Sequence, residues 1–141
     1  MKAISVRQPW AFLIADGQKT VEARSWRTDY RGDVLLCTSA KQDSSFDKLD
    51  RESFPLGMAY CVVEIKDCVQ MKFEHIPMAY PTDDPKSFSQ QDIEGQFAWL
   101  LENPRIVTPF FPVKGKLNFY DVVMPKGVQI ITVAEYLSDK N

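Results

Sequence analysis

The segment Ser5-Val6-Arg7-Gln8-Pro9-Trp10, running on through Gly17-Gln18-Lys19-Thr20-Val21-Glu22-Ala23-Arg24 into Ser25-Trp26-Arg27-Thr28-Asp29-Tyr30-Arg31-Gly32, reads as strand, helix and strand in quick succession. Lys2 to Val6 predicts the first strand. Pro9 suits a first helical turn, Trp10, Leu13 and Ile14 recur at helical spacing, and Gly17 is placed to end the helix. From Thr20 to Trp26 the period changes to two, with Val21, Ala23 and Ser25 alternating with Glu22, Arg24 and Trp26, as in a strand half exposed to a groove. Two charged side chains and one aromatic thereby share a face.

Outward from this segment, Arg31-Gly32-Asp33 marks a turn. Val34-Leu35-Leu36-Cys37-Thr38 is a continuous apolar run typical of a buried strand, with Lys41 just beyond it. Between Gln42 and Phe54, Phe46, Leu49 and Phe54 fall at near-helical spacing behind Asp43 and Ser44 as caps, which predicts a surface helix. Gly57 to Val69 reads as a long strand. Residues 71–94 carry Pro77, Pro81, Pro85 and the pair Asp83-Asp84 without a clear period, and read as a loop insertion within one domain spanning 1–141. Phe97 to Leu101 resumes a strand, Asn103-Pro104 turns it, and Ile106 to Phe111 leads through Lys114-Gly115-Lys116 into a last strand from Leu117 to Val123. Thr132 to Leu137 predicts a terminal helix. Five or six short strands decorated by small helices define an α+β class, mainly β, as a closed or partly closed barrel, with a ferredoxin-like sheet as the alternative.

At 141 residues the chain suits one domain, which at that size buries roughly two thirds of its unfolded surface. Its apolar runs fall far short of the ~20 residues that cross a membrane, and Arg7 and Gln8 interrupt any signal-like segment, so no membrane partner is expected. Cys37, Cys61 and Cys68 are odd in number, lack a CxxC pair and lie in strand-like segments, which predicts buried, reduced thiols and a cytoplasmic setting. Neither a metal site nor a cofactor is expected, because the one histidine, His75, sits beside Glu74 in the irregular segment and reads as a surface residue. Charge is polarised. Residues 1–32 hold six cations against three carboxylates in a chain of net charge −2, so the remainder carries −5. One face that attracts an anion is the implication, while the acidic total argues against indiscriminate coating of nucleic acid.

The run Gln8-Pro9-Trp10-Ala11, then Gly17-x-Lys19-Thr20-x-Glu22-x-Arg24, then Trp26, Tyr30-Arg31-Gly32 and Ser39-Ala40-Lys41 resembles the ASCH family, named for activating-signal-cointegrator homology. Gly95-Gln96-Phe97-Ala98-Trp99 and Val113-Lys114-Gly115-Lys116-Leu117 are similar to that family's closing strands. The resemblance thins over 43–54 and 71–92. It implies a PUA-like β-barrel of five to six strands with a cleft into which the GxKxxExR element projects, and binding of RNA or a nucleotide, a minority of members being hydrolases or ribonucleases.

The residues themselves support polar recognition. Lys19 before a strand, with Glu22 and Arg24 facing one side, offers a cationic pair to a phosphate and a carboxylate to a base edge or ribose hydroxyl. The competing interpretation is a structural ion pair on a strand face. Trp26 shares the face of Glu22 and Arg24 and suits base stacking, Trp10 lies on the apolar stripe of its helix and reads as core, and Tyr30 is open between the two roles. Arg27, Arg31 and Lys114 complete the candidate ligand-binding set of Lys19, Glu22, Arg24, Trp26 and Tyr30. The expected ligand is single-stranded RNA, a nucleotide or a nucleoside, with a protein partner possible through the acidic 71–94 region. If the protein is an enzyme, the candidates are Lys19, its pKa lowered by Arg24 and assisted by Glu22 as base, or Lys41 beside Thr38 and Ser39. In the family's small amidohydrolases a threonine follows the motif lysine where Glu22 stands here, so that nucleophile is missing.

Overall fold

The computed structural model describes residues 1–139. Its elements are β1 (Lys2–Val6), α1 (Trp10–Ala15), β2 (Val21–Arg24), β3 (Gly32–Thr38), β4 (Met58–Gln70), α2 (Ile76–Ala79), α3 (Gln90–Ile93), β5 (Phe97–Pro112), β6 (Tyr120–Asp121), β7 (Gln129–Thr132) and α4 (Val133–Asp139). The class is α+β, mainly β, with seven strands in one sheet instead of five or six. The order is β2-β5-β4-β3-β1-β6, with β7 added to β5. β1 runs parallel to β3, and the other pairings are antiparallel.

This sheet curls. β2 and β1 are separated by three strands along the hydrogen-bonded path, yet Arg24 Nη2 on β2 donates to the Ser5 carbonyl on β1 at 2.7 Å. β3 explains the continuous apolar run, because alternate residues feed two cores: Val34 and Leu36 pack with Ile4, Ile14 and Trp99, while Leu35 and Cys37 pack with Ala3, Val62 and Tyr120. α1 closes one end, its Phe12 N–H capped at 2.9 Å by the fully buried Gln8 side chain and its exit made by Gly17 at φ +85°. Residues 71–94 hold α2, α3 and two short 3-10 turns, and supply Met71, Ile76, Ala79 and Ile93 to a third core under β2 and β5.

Four expectations are corrected. No helix forms over 42–54: Asp43 and Asp50 carboxylates accept from the Ser45 and Ser53 main chains, and Gln42 from that of Leu49, so local side-chain bonds outcompete the helical ladder. Asn103, at φ +54°, makes a bulge within the single long strand β5 instead of a turn between two. The strand predicted from Leu117 to Val123 shrinks to Tyr120–Asp121 and is followed by the unpredicted β7, since Asn118 at φ +58° redirects the chain and Leu117 and Val123 are both 90% exposed. His75 is buried, with its Nδ1 accepting from Lys72 N–H at 2.9 Å.

A bidentate pair crosses the sheet from β5 to β3: Arg105 Nη1 and Nη2 donate to the Asp33 carboxylate at 3.0 and 2.6 Å. This guanidinium holds the Asp33 carboxyl below its ordinary value. A depressed carboxylate pKa stabilises the fold above the unfolded value and loses that contribution as pH falls through the folded one. Because Asp33 is half exposed, Asp33→Asn should cost no more than about 1 kcal/mol at neutral pH. Urea unfolding should show the deficit at pH 7 and converging curves below about pH 3; a deficit that persists in acid would contradict the assignment.

Candidate functional site

Where the curled sheet fails to close, a cleft of about 690 Å³ opens between β1 and β2. Its walls are drawn from along the whole fold: Ser5, Val6 and Arg7 at the end of β1; Trp10 on α1; Lys19 just before β2 and Glu22 to Trp26 along and just past it; Ser39 and Asp43 beyond β3; and Tyr80, Gln96 and Lys116 to Asn118 from later in the chain. β2 ends at Arg24 and the chain bends over Ser25 and Trp26, so the alternation predicted as far as Trp26 stops early and Ser25 borders the same cleft.

Lys19 is the most constrained group here. It is 2% exposed, and its ammonium donates to the Val21 carbonyl at 2.7 Å and the Ala79 carbonyl at 2.6 Å, with Glu22 Oε1 at 3.4 Å. Trp10 and Tyr80 present their rings to it, with centroids 5.3 and 5.4 Å away. Burial is the main force lowering its pKa; the Glu22 carboxylate opposes it, and Arg24, the expected cause, contributes least. All three N–H groups have acceptors. An ammonium held in this way has little left to donate to a phosphate.

Glu22 joins two cations. Its Oε2 accepts from Arg24 Nε at 3.0 Å and Nη2 lies 2.9 Å away, while Oε1 faces Lys19. Arg24 also stands 5.8 Å over the Trp99 ring. Trp26, half-buried, meets Trp99 and Phe119 edge-on at 4.7 and 5.4 Å, so one part of its indole is anchored in core and another reaches the cleft. Trp10, expected in the core, is only partly buried and forms a cleft wall. Its Nε1 donates to Asp43 at 2.9 Å, and Phe46 and Tyr80 abut its edges.

The structure therefore gathers Lys19, Glu22, Arg24 and Trp26 in one place and sets the other candidates elsewhere. Arg27 is exposed, pairs with Asp29 at 3.6 Å and borders a separate depression with Cys68 and Phe97. Tyr30 donates to the Asp33 carbonyl at 2.6 Å and packs on Phe119. Arg31 binds the Thr28 and Tyr30 carbonyls and Asp67, whereas Lys41 and Lys114 are exposed and do not line the cleft. Arg7, Asp43, Tyr80, Gln96 and Lys116 line it without having been among the candidates. Arg7 and Lys116 had a signal, the first in the polarised N-terminal segment and the second in Lys114-Gly115-Lys116. Tyr80 and Asp43 had none, being brought in by long-range folding.

A mainly β, curled sheet with a cationic and aromatic cleft at its open seam defines the class. The ASCH domain model matches residues 4–111, and the chain belongs to the ASCH domain family, a PUA-like fold associated with RNA binding. It is similar to human activating signal cointegrator 1, 28% identical over 127 residues, and to the mouse protein of that name, 26% identical over 127 residues. Each alignment covers 79% of this chain but 20% of the relative, so the chain spans about a fifth of the length of those proteins. Among solved structures, a single-site variant of the Zymomonas mobilis ASCH protein superposes with a TM-score of 0.50 at 16% identity, covering 99% of this chain and 93% of that one, a likeness of fold. No helix among the described residues is long and apolar enough to cross a membrane.

Proposed function

We propose that this domain binds a nucleotide, free or as a unit of single-stranded RNA, in the cleft between β1 and β2. The observation that carries the reading is the layered lining of that cleft: a fixed Lys19–Glu22–Arg24 cluster below, partly exposed Trp10 and Trp26 at the sides, and the exposed cations Arg7 and Lys116 outside. Planar aromatics take a base, polar groups its edge, and rim cations a phosphate. Lys19 serves as structure in this scheme and its charge holds Glu22 in place. A hydrolytic role for Lys19 or Lys41 is the weaker reading, because the first has its N–H groups engaged and the second stands outside the cleft.

Binding of a short single-stranded RNA across a salt series tests the rim. Each of Arg7→Met and Lys116→Met should reduce the slope of log affinity against log salt by about 0.7, the value for one phosphate contact on a single strand. Unchanged slopes in both variants would remove the rim from the account.

A further inference from the structure

The main-chain groups along the open seam carry an inference that rests on the nucleotide reading. β2 is bonded to β5 on one side only. Leu101 N–H donates to the Thr20 carbonyl at 2.9 Å, and the register runs Val21 to Leu100 and Ala23 to Ala98. Antiparallel alternation then turns the N–H and C=O of Val21 and Ala23 away from β5. On β1, Met1 and Val122 exchange hydrogen bonds at 2.7 and 2.9 Å and Ala3 pairs with Tyr120, so the same alternation turns Ser5 outward at a point where β6 has no residue to offer.

Two of these outward carbonyls are capped, that of Val21 by Lys19 Nζ and that of Ser5 by Arg24 Nη2, each at 2.7 Å. Ala23 differs. Its N–H and C=O face the cleft, and among the described residues no side chain bonds to either. We propose that Ala23 reads the Watson–Crick edge of a nucleobase through this N–H and C=O. In an extended residue the two groups lie side by side and point the same way, and each nucleobase sets a donor beside an acceptor on that edge. An added peptide strand would need a row of free outward groups. The seam denies it one, since Lys19 occupies the Val21 carbonyl and the chain bends at Ser25. An opening one residue long, bordered by Trp26, matches a base.

The test begins with titration of the wild-type domain with the four nucleoside 5′-monophosphates, followed by the tightest binder methylated at its Watson–Crick ring nitrogen. Methylation should weaken binding about tenfold, the loss of one hydrogen bond that cannot be remade. Ala23→Pro removes the N–H while leaving the β5 side of the strand intact, as an edge strand tolerates. It should impose a similar loss on the unmethylated ligand and little more on the methylated one, because both changes break the same paired edge contact, at one or the other of its two hydrogen bonds. Equal affinity of wild type for the two ligands would overturn the Ala23 assignment and leave the cleft reading standing, whatever the folding of the proline variant. Absence of binding by every monophosphate and by single-stranded RNA would overturn both, and saturable binding of an extended peptide in their place would convert the seam into a strand-addition site.

Discussion

Replacing Lys19 with methionine is expected to lower the melting temperature by about 10 °C, because breaking a buried ion pair by removing one partner costs roughly 3 kcal/mol and a domain of this size melts about 3–4 °C lower per kcal/mol. The loss has a local origin. Methionine strands the Val21 and Ala79 carbonyls, which together receive two of the three ammonium N–H groups, and Glu22 keeps Arg24 as its only cation. Ala79 ends α2, so the same lysine pins residues 76–79 against β2, and the damage should appear first there in hydrogen exchange. A Lys19→Met protein that melts like wild type yet loses ligand would reverse the assignment, making the amine a binding group instead of a structural one.

Trp26→Ala should weaken nucleotide or single-stranded RNA binding roughly tenfold to a hundredfold, the range for removing one aromatic stacking surface. Trp26 is held edge-on by Trp99 and Phe119, so its plane is set before a ligand arrives and little ordering cost falls on binding. Trp26→Phe should restore most of the affinity, since any planar ring serves a base that is read by its face. Losing the edge-on pairs should also cost the fold about 1–2 kcal/mol, which urea unfolding measures separately from affinity. Equal affinities of the alanine variant and wild type would move the base to Trp10 and Tyr80 or out of the cleft.

Much of the fold was legible because it rests on local pattern. β1, α1 with its Gly17 exit, the apolar β3 and the long β4 each carry a period or an end signal that their own residues set. What was illegible depended on partners distant in sequence or on side chains competing with the main chain. Asp43, Asp50 and Gln42 cancelled a helix whose apolar spacing was adequate, and Asn103 absorbed a turn into a bulge. For the candidate site, the GxKxxExR spacing correctly joined Lys19, Glu22 and Arg24 but could not show that Lys19 is buried, since its acceptor at Ala79 lies 60 residues away. Arg27 and Arg31 stood among the candidates without Arg24's place in the GxKxxExR spacing. The end of β2 at Arg24 separates them, sending the chain over the outer face where Asp29 and Asp67 engage the two arginines.

Photo-crosslinking of a short single-stranded RNA carrying 4-thiouridine, followed by mass spectrometric mapping of the modified peptides, tests the central claim most directly. The cleft account predicts adducts on the peptides that contain Trp10, Trp26 and Tyr80, diminished by excess unlabelled nucleotide and by salt. Adducts confined to the outer face around Arg27 and Arg31, with none on the cleft peptides, would contradict it.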